Sequence, residues 1–159
     1  MRAIVDAAQF RELCGRFATG VVVVTTVAED GTPAGMTANS FTSVSLDPPM
    51  VSINVEHASD FHRTIVAAAG FAINVLGQDQ EILSRRFAGP GPDRFAGIGY
   101  RRTDRGLIVL TGAVAVIECE MFQRFPIGDH TIVIGRVVGG EVHDGRPLLY
   151  FRGGYHTLL

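Results

Sequence analysis

Alternating apolar and polar positions predict that most of this chain forms β-strands. A β-branched run covers residues 21–27, and apolar residues alternate with small polar ones through 41–45 and 50–55. Such runs are typical of strands, because successive side chains of a strand point to opposite faces of the sheet. Further strands are predicted over 71–76, 98–102, 111–122, 131–138 and 148–151. Most of the chain is therefore expected in a sheet.

Three segments have the spacing of helices instead. The first covers 6–16 and is capped by its first residue, an aspartate. Its apolar side consists of Phe10, Leu13, Cys14 and Phe17. A second helix is predicted over 59–69, capped by its first residue, a serine. A third is predicted over 78–87, with Ile82 and Leu83 facing inward.

Turn signals join these elements. An Asp-Gly pair within 29–32 predicts a hairpin, a glycine- and proline-rich segment at 88–92 predicts a loop, and 143–146 predicts another turn. Many short strands without a regular β-α-β alternation favour a mostly antiparallel barrel over a Rossmann sheet. The length is that of one domain, residues 1–159.

Composition narrows the class of protein. Hydrophobic residues make up 47% and charged residues 19%, which is typical of a globular chain, and the net charge of −2 gives no electrostatic case for nucleic acid or an anionic membrane surface. No apolar run reaches the ~20 residues that span a bilayer, and charges at Arg2, Asp6 and Arg11 argue against a signal peptide. Two distant cysteines, Cys14 and Cys119, favour a reduced cytoplasmic setting. One disulfide between them is the alternative.

The segment 35–49 carries the densest candidate chemistry. Its small polar residues are Thr37, Asn39, Ser40, Thr42, Ser43 and Ser45. Small side chains let a flat ligand approach the backbone, and their hydroxyls and amides can hydrogen-bond its edge. Asp47 is its single charge, and the two prolines that follow end the strand. A polar edge strand that leads into a loop is the alternative interpretation.

The segment 35–49 resembles the signature of the flavin reductase-like family, small flavin:NAD(P)H reductases that supply reduced flavin to two-component monooxygenases. Three further segments match in the same order, Phe-Ala-Ile-Asn-Val-Leu at 71–76, Gly-Asp-His at 128–130 and Pro-Leu-Leu-Tyr-Phe-Arg-Gly-Gly-Tyr at 147–155. The similarity covers about 10–155. It implies a split antiparallel β-barrel with two or three short helices, and a homodimer with flavin near the interface. It also implies hydride transfer from NADH or NADPH to FMN or FAD, with a flavin-dependent monooxygenase as partner.

The resemblance also implies which residues hold the flavin. The expected contacts of the isoalloxazine and ribityl chain are Thr37, Ala38, Asn39, Ser40, Ser43, Ser45, Ser52 and Asn54. Ser59 and Arg94 are expected at the phosphate, although Arg94 has the alternative of a solvated loop charge. Here the chain departs from the family, because Asp60 and Phe61 stand where a second serine and a threonine are usual. Asp60 is a poor neighbour for a phosphate, which leaves FMN and FAD both open.

The nicotinamide step is expected to use His130, the histidine of the Gly-Asp-His motif. By resemblance His130 lies near the nicotinamide and hydrogen-bonds the substrate or the flavin. Arg152, Gly153 and Tyr155 are expected to hold the nicotinamide nucleotide. The alternatives are a turn histidine without a role and a terminal strand with a glycine hinge.

Other chemistries have little support in the sequence. No G-x-G-x-x-G follows a strand, no P-loop or G-x-S-x-G is present, and the spacing of the histidines, including His57 and His62, predicts no metal site. Two further classes stay open. One is a non-catalytic flavin- or haem-binding protein on the same barrel. The other is a pyridoxamine-phosphate oxidase-like enzyme, which would be expected to show more cationic residues, whereas this chain has no lysine.

Overall fold

The computed structural model describes residues 4–159, and strands dominate it. The strands are β1 (Thr19–Gly20), β2 (Val22–Val27), β3 (Pro33–Ala38), β4 (Thr42–Leu46), β5 (Pro49–Glu56), β6 (Gly70–Val75), β7 (Tyr100–Arg102), β8 (Ile108–Leu110), β9 (Ala115–Ile127), β10 (His130–Val142), β11 (Leu148–Phe151) and β12 (Gly154–Thr157). The helices are α1 (Ala7–Cys14), α2 (Asp60–Ala67) and α3 (Glu81–Ala88). The prediction of a mostly β chain with two or three short helices is confirmed.

A seven-stranded antiparallel sheet forms the body of the protein. Its strand order is β3-β2-β6-β9-β10-β5-β4, so β3 and β4 lie at opposite edges. These two edge strands are nevertheless joined by residues 39–41 alone, a connection that spans at most ~14 Å. The sheet must therefore curl until its edges approach each other. The split antiparallel β-barrel is confirmed, and residues 39–41 lie at the split.

The barrel interior is filled from the inward faces of the central strands. Five consecutive residues of β2 are buried, as the β-branched run predicts. The largest fully buried side chains include Phe71 and Ile73 of β6, Ile53 of β5 and Val133 of β10. Their burial removes apolar surface from water, which is the main favourable term in folding.

One buried polar side chain, Asn74, ties three strands together. Its Nδ2 donates to the Val23 carbonyl and to the Thr25 hydroxyl, each at 3.0 Å. Its Oδ1 accepts from the Leu110 N–H at 2.8 Å. Asn74 is fully buried, so β2, β6 and β8 depend on these bonds to satisfy polar groups that water cannot reach.

Helix α3 lies against the outer edge of the barrel at β3. Phe87 is fully buried and contacts Gly35, where an added Cβ would lie 2.8 Å from the Phe87 ring. The inward side of α3 is formed by Ser84 and Phe87, and the partly buried Leu83 packs against the same core cluster, as predicted. The prediction that Ile82 faces inward is wrong, because Ile82 is 84% exposed. Phe87 sets the rotation of the helix, since only glycine leaves room for its ring.

Several predicted strands have different boundaries in the structure. The segment 35–49 is two strands, because the chain changes sheet edge at 39–41. The C-terminal glycines do not leave the sheet, since Arg152 (φ 52°) and Gly153 (φ 75°) form a left-handed turn that leads into β12. The strands β1, β8 and β12 were not predicted. β9 begins and ends later than the predicted 111–122, and β10 extends beyond the predicted 131–138 at both ends.

Helix α1 begins as predicted, with the Asp6 side chain accepting from the Gln9 N–H at 2.8 Å. Its apolar side is nevertheless exposed. Phe10 and Leu13 are each 61% exposed, and no residue of α1 is buried. No helix within residues 4–159 is long and apolar enough to cross a membrane.

Candidate cofactor-binding site

A cleft of about 510 Å³ opens where β3 leaves the barrel beside β5. We call it the β3–β5 cleft, and its lining residues are Phe10, Met36, Thr37, Ala38, Asn39, Ser40, Asn54, Glu56, Asp129 and His130. Ser40 closes its base, because the Ser40 Oγ accepts from the Asn54 N–H at 3.0 Å. Six residues predicted for the site therefore meet in one cleft. Polar groups at its edge beside the Phe10 ring suit a flat heteroaromatic ligand.

His130 reaches this cleft as the first residue of β10. It lies opposite Glu56 of β5 in the register, and its Nδ1–H donates to the Asp129 carboxylate at 2.6 Å. That hydrogen bond lowers the pKa of the Asp129 carboxyl from its ordinary value. Because Asp129 occupies Nδ1, Nε2 is the ring nitrogen available to a ligand.

A second cavity, of about 190 Å³, shares residues 37–39 with the β3–β5 cleft. We call it the Tyr155 cavity, and its lining residues are Val21, Thr37, Ala38, Asn39, Ala88, Tyr150 and Tyr155. Residues 37–39 thus form a wall shared with the β3–β5 cleft. The Thr37 hydroxyl donates to the Ser84 carbonyl at 2.6 Å, so it is already engaged. The backbone of residues 37–39, rather than the Thr37 hydroxyl, is left to bind a ligand.

A third cavity, of about 400 Å³, lies between β3 and the start of α2. We call it the Arg94 cavity. Arg94 donates from Nη1 to the Gly35 carbonyl at 3.0 Å, while its buried Nε has no hydrogen-bond partner within the described residues. A guanidinium that lines a cavity beside a helix start fits an anion such as a phosphate. Asp60 also lines the cavity and opposes that anion.

Six predicted residues do not line these three cavities, and Ser59 is one of them. Ser43 and Ser45 lie on the edge strand β4, and Ser52 lies on β5 opposite Thr42. Arg152 and Gly153 form the turn between β11 and β12. Their contacts with a cofactor stay a prediction.

Ser59 is engaged in the fold. Its Oγ accepts from the Phe61 N–H at 3.2 Å and so caps α2, as the sequence predicts. The cap leaves the hydroxyl with reduced capacity for a phosphate. The part of the predicted phosphate site that the structure places in a cavity is Arg94.

Several lining residues were not anticipated. Phe10 comes from α1, and Glu56 is brought in because β5 pairs with β10. Tyr150 reaches the Tyr155 cavity through the pairing of β11 with β12. Glu56 and Tyr150 depend on strand register, which no local sequence pattern gives.

His57 and His62 meet at the buried hydroxyl of Thr131. The two Nε2 atoms lie 3.1 Å and 2.8 Å from the Thr131 Oγ1. Burial, and secondarily His57, lower the pKa of His62 from its ordinary value. Within residues 4–159 there is no group of three or more histidine, cysteine or acidic side chains placed to hold a metal ion.

The fold and the cleft define a split-barrel protein of the flavin-binding type. The family model described as "Flavin reductase like domain" matches residues 14–159, and the chain belongs to that family. The resemblance noted in the four sequence segments is thus confirmed.

Individual relatives agree with this family. A flavin reductase of Pseudomonas putida is 40% identical over 156 residues, covering 98% of this chain and 92% of its own. An FMN reductase (NADH) of Agrobacterium fabrum is 41% identical, covering 94% and 85%. An NADH:FAD oxidoreductase of Streptomyces globisporus, solved with NAD and FAD fragments, superposes with a TM-score of 0.92 at 36% identity, covering 99% and 98%.

Some relatives are much longer. The chain spans about half the length of two further curated relatives, 50% of one from Rhizobium meliloti and 51% of one from Acinetobacter baylyi. The second is the reductase component of a flavin-dependent trigonelline monooxygenase, 39% identical over 157 residues.

Proposed function

We propose that this protein is a flavin reductase that uses NADH or NADPH to reduce FMN or FAD. The observation that carries the proposal is the β3–β5 cleft, where Asn39, Ser40, Asn54 and His130 converge around one opening. The family membership and the names of the relatives support it.

The residues of this chain have separate tasks in the proposed reaction. A bound flavin supplies the acceptor for a hydride from the reduced nicotinamide. Asn39, Ser40 and the edge of β5 at Asn54 hydrogen-bond the polar rim of the ring system. Arg94, which lines the Arg94 cavity, binds a phosphate through its guanidinium. His130 offers Nε2 to the nicotinamide or to charge that develops on the flavin.

A binding and turnover assay tests the proposal against its alternatives. Purified protein is mixed with FMN or FAD and with NADH or NADPH, and the nicotinamide absorbance is followed. Steady oxidation that depends on flavin supports a reductase. Tight flavin binding without oxidation would instead indicate a binding protein, and oxidation of pyridoxamine phosphate would indicate the third class.

We propose that the reduced flavin serves a partner monooxygenase. Several relatives are reductase subunits of such pairs, among them a monooxygenase reductase subunit of Rhodococcus jostii that is 38% identical over 152 residues. The cytoplasmic location also stays a prediction. It would keep the thiols of Cys14 and Cys119 reduced, and both are free in the structure.

We propose that two copies assemble as a homodimer over the face that carries the cleft. The register puts Asn54 opposite Ile132 and Ile132 opposite Phe125, so these side chains share one face of the sheet. On that face Phe125 is 49% and Ile127 62% exposed, and the exposed Phe10 of α1 lines the cleft itself. An apolar patch next to the cleft suits a second copy that shields both the patch and the flavin.

Replacing Phe125 by glutamate is expected to convert the dimer to a monomer, because a charge would have to be buried in the interface. Light scattering at micromolar concentration measures the mass. The matched control is Ile82→Glu, which places the same charge at an exposed position on α3 and should remain dimeric. A wild-type protein that is monomeric throughout would contradict the proposed assembly.

Replacing His130 by alanine is expected to lower kcat/KM for the reduced nicotinamide about three- to tenfold. One hydrogen bond to a neutral partner contributes ~0.5–1.5 kcal/mol net, which gives a change of that size. Flavin affinity and the melting temperature should stay near wild type, since the His130 side chain is 42% exposed and hydrogen-bonds the exposed Asp129. Steady-state kinetics at saturating flavin measure the effect.

His143→Ala is the matched control for His130. His143 also pairs with a carboxylate, its Nε2 lying 3.1 Å from Glu141, but it is outside the three cavities. We expect its kinetics to be unchanged. Loss of flavin from His130→Ala would show that His130 serves flavin binding instead. A much lower melting temperature with normal turnover would show that it serves the stability of the fold.

A further inference from the structure

Tyr155 is fixed on three sides, although it lies on a terminal strand. Its hydroxyl is 2.7 Å from the Ser84 Oγ, and the guanidinium of Arg85 lies 4.8 Å from its ring centre. The Tyr150 ring contacts it edge-on, with 5.4 Å between the ring centres. A ring held in this way has little freedom to move, so the cavity that it lines keeps its shape.

Ser84 is the residue that joins both walls of the Tyr155 cavity. Its side chain bonds Tyr155 of β12, and its carbonyl accepts from the Thr37 hydroxyl of β3 at 2.6 Å. Ser84 is fully buried, and helix α3 fixes it because Phe87, one turn later, is packed against Gly35. The distance between the two walls is therefore set from one buried position.

The cavity itself is small. Its 190 Å³ is below the ~300 Å³ at which pockets enclose a drug-sized ligand, so it accommodates one part of a dinucleotide. Residues 37–39 line both this cavity and the β3–β5 cleft, which is where the flavin is proposed to bind. A group held there would therefore adjoin the flavin.

We propose that Ser84 is a positioning residue for the nicotinamide nucleotide, holding Tyr155 at a fixed distance from residues 37–39. The inference rests on the proposed function. Ser84 touches no cofactor. It acts through Tyr155, and its contribution is the ordering of a binding wall before the nucleotide arrives, which lowers the cost of binding.

Ser84→Ala is expected to raise the KM for the reduced nicotinamide about three- to tenfold, the loss of one hydrogen bond, with kcat within about twofold of wild type. Flavin affinity should be unchanged. Tyr155→Phe removes the same bond from its other end and should give a similar change. The double variant should be no worse than either single variant, because both remove one interaction. Ile82→Ala, an exposed position on the same helix, is the control.

Calorimetric binding of NAD⁺ to the flavin-loaded protein gives a readout that does not depend on turnover. We expect the affinity to fall in Ser84→Ala by the same factor as KM rises. A lower melting temperature with unchanged KM and NAD⁺ affinity would make Ser84 merely structural, and additive losses in the double variant would also overturn the proposal. A wild-type protein that binds NAD⁺ without oxidising NADH would refute the proposed function alone. One that does not bind NAD⁺ would refute the role of Ser84.

Discussion

Replacing Ser40 by leucine is expected to weaken flavin binding by roughly 10- to 100-fold. Ser40 is half-buried at the base of the β3–β5 cleft, and its hydroxyl accepts from the Asn54 N–H. A leucine there occupies space that the ring needs, and overpacking of a closed site costs ~1–3 kcal/mol. The fold should survive, since Asn54 is exposed and water can reach its backbone N–H. Quenching of flavin fluorescence measures the affinity.

Thr32→Leu is the matched control. Thr32 is exposed and lies in the hairpin just before β3, at the end away from the cleft. The same increase in size should leave flavin affinity at the wild-type value there. Wild-type affinity in Ser40→Leu would exclude the cleft as the flavin site.

Replacing Asn74 by alanine is expected to lower the free energy of unfolding by roughly 2–6 kcal/mol. The Val23 carbonyl and the Leu110 N–H would both lose their partner inside the barrel. Each buried and unsatisfied group costs ~1–3 kcal/mol, and whole domains are stable by only ~5–15 kcal/mol. Urea unfolding followed by circular dichroism measures the change.

Asn39→Ala separates this effect from a general effect of losing an asparagine. Asn39 is exposed in the connection between β3 and β4, so its loss should leave the unfolding midpoint unchanged. It should weaken flavin binding, because Asn39 lines the cleft. A loss below about 1 kcal/mol in Asn74→Ala would contradict the role of Asn74 as the link between β2, β6 and β8.

Local patterns in the sequence predicted those features that depend on neighbouring residues. The β-branched run at 21–27 predicted a buried strand, and even its two threonines, Thr25 and Thr26, are buried. The caps of α1 and α2 followed from Asp6 and Ser59, whose side chains accept the hydrogen bonds expected of such residues. The strand pattern itself favoured an antiparallel barrel, and the resemblance carried by 35–49 then specified its split form.

Features that depend on contacts between distant segments could not be predicted in this way. Ile82 was expected inside because it is apolar, but the fit of Phe87 against Gly35 turns it to solvent and turns the polar Ser84 inward. A helical wheel centred on Phe87 would have placed Ser84 on the inner side. The split of 35–49 into two strands requires the whole strand order, because only the curl of the sheet brings its edges together.

Helix α1 forms as its sequence predicts, but nothing within the described residues 4–159 of its own chain buries its apolar side. Its spacing indicates a buried helix face, yet Phe10 and Leu13 are exposed in the isolated chain. The proposed second copy would resolve this difference. The sequence alone cannot say whether such a face is covered by its own chain or by another.

Anaerobic reduction of the flavin is the direct test of the proposed hydride transfer from NADH or NADPH to FMN or FAD. The protein is mixed with one equivalent of FMN or FAD in the absence of oxygen, NADH or NADPH is added in steps, and the visible absorbance of the flavin is followed. We expect the absorbance to bleach with one nicotinamide consumed per flavin, and to bleach more slowly at equal nicotinamide in His130→Ala. If flavin bound to the wild-type protein stayed oxidised with both NADH and NADPH, the proposed flavin reductase function would be contradicted.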